Sequence, residues 1–243
     1  FCKYCTTSNQ KPTSTPEFLN DESKKKKTVN FNDEGICDSC LALKDKHKID
    51  WKSRENQLKD LCDKFRKSNG EYDCLVPGSG GKDSFMQAHL LKYKYGMNPL
   101  TCTWAPNIYT DWGWKNHQAW IHSGFDNILF TPNGKTTRLL TRLAVENLFH
   151  PFQPFIIGQK NLAPKLADKF NIKLIFYGEN EAEYHNPRAD NLSPKRDKSF
   201  FSSTKESKIR LGGEDLEELK DYGLKPVDWE VFLPLDENII EEK

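Results

Sequence analysis

Residues 76–84 read Val76-Pro77-Gly78-Ser79-Gly80-Gly81-Lys82-Asp83-Ser84, and most of the chain's readable chemistry is concentrated there. An apolar run, Cys74-Leu75-Val76, precedes them, and Met86, Leu90 and Tyr93 follow at i, i+4 and i+7. This pattern predicts a buried strand turning into a helix whose apolar face carries those three residues. Three glycines let the backbone come close to a ligand, and the first N–H groups of the helix have no partner inside it. Together with the helix dipole and Lys82, those donors make a site for a pyrophosphate-sized anion. Ser79 and Ser84 add hydroxyl donors, and Asp83 adds a carboxylate suited to Mg²⁺. The plain alternative is a tight strand-to-helix turn with a chance lysine. The full Ser-Gly-Gly-Lys-Asp-Ser string favours phosphate binding over that alternative. It is not the Walker A pattern, because Gly-x-x-x-x-Gly-Lys-Ser/Thr is absent.

A second constellation lies at the start. Cys2-x-x-Cys5 and Cys37-x-x-Cys40 are two thiolate pairs that can complete a tetrahedral zinc site. With all four positions filled by protein, such a site is structural, and it would staple a knob too short for a core of its own. A redox pair or free thiols are the other readings. Residues 6–36, between the pairs, contain Pro12, Pro16 and Lys24-Lys25-Lys26-Lys27, which predicts a flexible, solvated insert. The lysine run lacks the interleaved aromatics of a nucleic-acid surface.

The elements that must position these residues alternate. An amphipathic helix from Ile49 to Arg66, with Trp51, Leu58, Leu61, Cys62 and Phe65 on one face, is expected to join knob to core. Strands are expected at Tyr72–Val76, Leu100–Trp104, Asn127–Phe130 and Lys173–Tyr177. Helices are expected at Trp112–His122, at Lys135–Phe149 and around Leu162, Leu166 and Phe170, the last preceded by a turn at Gly158-Gln159-Lys160. Apolar strands alternating with helices predict an α/β fold with a doubly wound parallel sheet. Ligands of such sheets sit beyond the carboxyl ends of the strands, where Ser79–Ser84 and Gly178-Glu179-Asn180 both fall. Beyond Glu181 the pattern loosens into a polar loop, a short helix at Glu214–Leu219 and an apolar cluster of Trp229, Phe232 and Leu233. The expected division is 1–48 knob, 49–187 nucleotide domain and 188–243 a segment that can serve as a substrate lid.

Composition sets bounds. The 243 residues suffice for one α/β domain with an appendage, and a net charge of +1 gives no overall pull toward nucleic acid or membrane. No apolar run approaches the ~20 residues of a membrane span, and no signal-peptide pattern opens the chain. Seven cysteines, an odd count, do not read as a disulfide framework, so the expected location is cytoplasmic.

The phosphate string resembles the PP-loop of the ATP pyrophosphatases, whose fold is of the HUP type and which cleave ATP to AMP and pyrophosphate while activating a carbonyl or amide oxygen. The flanking residues resemble one branch, the N-acetyl sugar amidotransferases of bacterial surface-polysaccharide and pseudaminic- or legionaminic-type sugars, including those on lipopolysaccharide and flagellin. That resemblance runs through Cys2-x-x-Cys5, Phe31-Asn32-Asp33-Glu34-Gly35-Ile36-Cys37-Asp38-Ser39-Cys40, Ile49-Asp50-Trp51 and Tyr72-Asp73-Cys74. It continues at Gly124-Phe125-Asp126, Thr131-Pro132-Asn133, Pro154-Phe155-Ile156-Ile157-Gly158-Gln159 and Tyr177-Gly178-Glu179-Asn180-x-x-Glu183-Tyr184. The Lys-rich insert departs from the family, and members generally continue past the length seen here.

The resemblance implies conversion of a sugar acetamido group to an acetamidino group, on a free or nucleotide-linked N-acetylated sugar. It implies ATP on Gly78, Ser79, Gly80, Gly81, Lys82, Asp83 and Ser84, with Thr103, Trp104, Gly158, Gln159 and Gly178 around it. Lys82, Asp83, Glu179 and Glu183 are the expected catalytic residues, with Mg²⁺ on Asp83 and Glu179. Asn180, Glu183 and Tyr184 are expected to meet substrate, and zinc to sit on Cys2, Cys5, Cys37 and Cys40. Ammonia is expected from a glutaminase and cyclase-like partner pair, with neither nucleic acid nor membrane as partner. Two rival readings are a PP-loop tRNA-modifying enzyme, of thiolation or lysidine type, and a zinc-ribbon interaction module with an inactive PP-loop.

Overall fold

Cysteines, glycines and a few apolar residues organise the start of the chain. The computed structural model describes residues 1–20, 23, 25–179, 186 and 195–241, which fall into two compact units. The first comprises Phe1–Thr15, Ser23–Asp60 and Glu179–Asp197. Its centre is Cys2, Val29, Ile36 and Cys37, with Phe31 and Leu41 packed against them. Short antiparallel pairing frames it: Val29 N donates to Lys11 O (3.0 Å) and Thr13 N to Lys27 O (2.9 Å). Helix α1 (Asp38–Lys46) buries none of its residues. Helix α2 (Trp51–Phe65) carries the chain toward the second unit, and Cys62 is its one buried residue. The expected apolar face of α2 is therefore largely open, with Trp51 62% exposed.

The second unit comprises Pro16–Glu22, Leu61–Gly178 and Lys198–Lys243. Strands β1 (Cys74–Pro77), β2 (Pro99–Trp104) and β3 (Asp126–Phe130) form a parallel sheet in that order, with Leu75 opposite Leu100 and Leu100 opposite Asp126. Every residue of β2 is buried, as in a strand covered on both faces. Leu100, Cys102 and Trp104 join the main core, while Thr101 and Thr103, one position out of phase, take the amide of Asn127 at 3.0 and 3.3 Å. Helices α3 (Lys82–His89), α4 (Asp111–His122), α5 (Gly134–Leu148) and α6 (Gln153–Lys169) complete the pattern. The unit is α/β with a parallel sheet, as the alternation predicts.

Four expectations change. The 173–177 strand pairs with β1 at one parallel bridge, Leu75 to Ile175, through Leu75 N to Leu174 O and Phe176 N to Leu75 O, both 2.9 Å. The next rung would need an N–H from Pro77, which has none. The turn at Gly158-Gln159-Lys160 does not exist, because these residues lie in the middle of α6. A Cβ on Gly158 would stand 2.2 Å from the Trp104 ring, so this glycine serves close helix-to-strand packing. The helix after the phosphate loop buries Ala88 and Leu91 instead of Met86 and Tyr93, which are 63% and 56% exposed. A five-residue π-helical stretch, Leu90–Lys94, continues α3. Finally, Glu214–Leu219 begins as a strand, and only a short 3-10 turn, Glu218–Lys220, follows where the helix was expected. Strands β5 (Arg210–Leu211) and β6 (Glu214–Asp215) form a hairpin across Gly212 and Gly213, both at positive φ (67° and 87°), the turn geometry that twisted hairpins prefer. Strands β4 (Ser202–Ser203) and β7 (Leu235–Asp236) pair in parallel. Helix α7 (Pro226–Trp229) brings Trp229, with Phe232 just beyond it, into the core.

The insert is not simply a solvated loop. Phe18, 2% exposed, belongs to the main core of the sheet unit. Gln153, fully buried, donates to Glu17 O (3.1 Å) and to Arg210 O (3.3 Å) and accepts from Gly212 N (2.9 Å). Asn20 and His150 hold the Glu17 carboxylate at 2.7 and 3.4 Å. Between the two cysteine pairs, therefore, the chain leaves one unit, plugs Phe18 into the core of the other, and returns. Phe18→Ala is expected to lower unfolding free energy by about 3–5 kcal/mol, the usual cost of deleting a buried phenyl group. A urea denaturation midpoint unchanged from wild type would remove Phe18 from the core.

Candidate phosphate site and candidate metal centre

The phosphate loop is built by backbone crowding. Gly78 N donates to Cys102 O (2.9 Å), extending the β1–β2 ladder into the loop. A Cβ on Gly78 would lie 2.4 Å from Ser84 and 2.9 Å from the Trp120 ring. Gly80 has φ +85°, and a Cβ there would meet Asn116 O at 2.6 Å and His117 Cα at 2.9 Å. Both distances are closer than side chains tolerate, so the loop lies directly on the Asn116–Trp120 face of α4. Helix α3 then starts at Lys82, with no side-chain cap at Gly81. Its first N–H groups thus face outward from an electropositive helix end. Lys82 Nζ and Asp83 Oδ1 stand 2.6 Å apart on the exposed rim, the side chains 88% and 66% exposed. Ser84 Oγ donates to Gly81 O (3.3 Å).

Gly178 belongs to the same neighbourhood. A Cβ there would stand 3.2 Å from Ser84 N, and Gln87 Nε2 donates to Tyr177 O (3.0 Å), tying the end of the 173–177 segment to α3. Thus Gly78, Ser79, Gly80, Gly81, Lys82, Asp83, Ser84 and Gly178 come together at the carboxyl end of β1. The structure places Trp104 elsewhere, 4% exposed between Gly158, Phe130 and Phe232. Thr103 is 1% exposed, and Gln159 is exposed on α6. Glu179 is exposed and falls in the other compact unit, while Asn180, Glu183 and Tyr184 lie outside the described residues. Sequence reasoning missed α4 as the seat of the loop. The signal was Gly78-x-Gly80, two glycines demanding a close neighbour, but nothing in the sequence said which helix supplies it.

The four cysteines converge. Sγ atoms of Cys2, Cys5, Cys37 and Cys40 all lie within 4.8 Å of one another, Cys2 to Cys40 at 3.9 Å and Cys5 to Cys37 at 3.7 Å. A tetrahedral zinc with bonds of about 2.3 Å requires sulfurs about 3.8 Å apart, so this group could hold a structural metal such as zinc. Backbone amides support the thiolates, Cys37 N and Tyr4 N standing 3.3 and 3.4 Å from Cys2 Sγ. Burial pushes the Cys2 thiol up, yet the N–H groups of Cys37, Tyr4 and Cys5 outweigh it and bring it to about 6. Burial, reinforced by the neighbouring thiols, raises Cys40. Metals bind thiolates, so closing this cluster on a metal would release the remaining protons. None of the seven cysteines is in a disulfide. Cys62, Cys74 and Cys102 are fully buried, and burial raises each of them.

No family model matches the chain. It is similar to an uncharacterized protein of Methanocaldococcus jannaschii, with 34% identity over 87 residues. That stretch is 36% of this chain and 31% of the relative, so the chain spans under a third of the relative's length. Among the described residues no helix is long and apolar enough to cross a membrane.

Metal analysis of the purified protein is expected to give about one zinc per chain, and Cys37→Ser to abolish that binding and lower the melting temperature. Full stability in a metal-free preparation would show that the cysteine cluster does not serve as a metal staple.

Proposed function

We propose that this chain is a PP-loop ATP pyrophosphatase of the HUP type that converts a sugar acetamido group into an acetamidino group. The observation that carries the reading is the glycine loop between β1 and α3, pressed onto α4 so that only backbone fits, with an uncapped helix start and Lys82 at its mouth. This is the geometry of a phosphate cradle at the carboxyl end of a parallel strand. The resemblance of the flanking segments to N-acetyl sugar amidotransferases supplies the acceptor.

In the first step the acetamido oxygen attacks the α-phosphorus of ATP. A new O–P bond forms, the bond to pyrophosphate breaks, and the nitrogen loses its proton to leave an O-adenylated imidate. Ammonia then adds to the imidate carbon, AMP leaves with the former acetamido oxygen, and a second proton departs to give the amidine. The chain's own contribution is positioning and charge: loop N–H groups and Lys82 hold the departing pyrophosphate where its charge develops. Asp83, a carboxylate exposed at the first turn of α3, would hold Mg²⁺, which neutralises phosphate charge when bound. Ammonia comes from a partner that releases it, and the zinc-bound cysteines act only as a staple. Burial of Cys62, Cys74 and Cys102 favours this reading over sulfur transfer, which requires a reachable thiolate.

The test is release of AMP and pyrophosphate from ATP against a panel of N-acetylated sugars, with ammonium as nitrogen donor and tRNA as control. The amidine product should be lighter than substrate by the difference between O and NH and should carry ¹⁵N from labelled ammonium. Lys82→Ala should cut turnover by two to three powers of ten, the weight of one preorganised contact at ~3 kcal/mol. A product that gains sulfur, label entering tRNA, or unchanged turnover in Lys82→Ala would overturn the assignment.

A further inference from the structure

The loop after β2 and the first turns of α4 hold a cluster that the phosphate chemistry does not use. Thr110 caps α4 by accepting from Gly113 N (3.0 Å), which places Trp114 and His117 one turn apart on the same face. The Tyr109 ring meets both, with centroids 5.2 Å from Trp114 and 6.4 Å from His117, and Trp114 and His117 are 5.8 Å apart. His117 is 1% exposed, yet neither Nδ1 nor Nε2 has a hydrogen-bond partner among the described residues, and the buried Tyr109 hydroxyl likewise has none. Three buried orphan atoms in one aromatic cluster are expensive, at roughly 1–3 kcal/mol each, unless a ligand or ordered water meets them. Trp114, 44% exposed, is the cluster's solvent-facing member, with Ile108 and Trp112 exposed nearby in sequence.

We propose that Tyr109, Trp114 and His117 form the subsite that holds the uncharged, hydroxyl- and amide-bearing ring of the acceptor. This rests on the function proposed above and names the residues that would select its second substrate. Three arguments fix the ligand class. The cluster pairs aromatic faces with neutral donors and acceptors, a lining that suits a polar ring with apolar faces. It has no charge to offer an anion: burial lowers the His117 basicity, and Lys115, the nearby cation, lies over the Trp112 ring at 4.7 Å. And it abuts the loop itself, through His117 and Gly80. The attacking group of the acceptor must come within about 3–3.5 Å of the phosphorus, whereas a nucleobase is held away from the phosphates by its ribose.

The experiment uses the full chain and two probes, the methyl glycoside of N-acetylglucosamine and ATP, each followed by calorimetry and ligand-observed NMR. Tyr109→Phe, which removes only an oxygen, and the half-exposed Trp114→Ala are each expected to weaken sugar binding about tenfold or more while leaving ATP binding unchanged. His117→Asn, with its fold checked by circular dichroism, should do the same. The subsite is overturned if wild type shows no saturable sugar binding, if the variants bind sugar as wild type does, or if they lose ATP instead, which would make the cluster a base pocket. Absence of ATP binding in wild type, or ATP binding indifferent to Lys82→Ala, would instead defeat the proposed function while the sugar response still judges the cluster.

Discussion

Close contact between the Gly78–Gly81 loop and α4 is the constraint from which the candidate phosphate site follows. A side chain at Gly78 or Gly80 would collide with Ser84, Trp120 or the Asn116 carbonyl, so α4 can approach β1 only because those positions lack one. That approach brings His117, and with it the Tyr109–Trp114–His117 cluster, beside the loop. Gly178 repeats the device from the other side, admitting the 173–177 segment against the first turn of α3. Pro77 limits the same region by ending the hydrogen-bond ladder between β1 and the 173–177 segment.

The sequence announced the elements better than it announced their contacts. Strands β1 to β3 and helices α4 and α5 were legible because apolar runs and helical spacing are local signals. Gly158 was misread because a glycine for close packing and a glycine for a turn look alike in one dimension. Only the Trp104 ring beneath α6 distinguishes them. Met86 and Tyr93 misled for a related reason: an apolar stripe names a face, and the sheet took the neighbouring one, Ala88 and Leu91. The four-cysteine cluster was fully legible, since thiolate spacing within each pair is itself a local rule. The role of Phe18 was hidden, because one phenylalanine in a polar insert carries no periodicity at all.

The two sites differ in what sustains them. The cysteine cluster is held by side chains from two short segments and by amides pointing at sulfur, so its geometry and the binding of any metal there would be one equilibrium. The candidate phosphate loop is held by covalent backbone and steric exclusion, with no side-chain cluster at its centre.

The Phe18 strap also dictates an order of events during synthesis. Cys2 and Cys40 are 38 residues apart in sequence, so the cysteine cluster can close before the residues that follow it are made. Glu17 and Gln153, by contrast, are 136 residues apart in sequence, and Phe18 packs in a core that includes residues as late as Phe232. A nascent chain therefore carries this phenylalanine uncovered until Phe232 has been translated, and the strap docks late because its contacts are so distant in sequence. A metal on that cluster would keep the wait short in space, by holding the strap's two ends together while its partners are made.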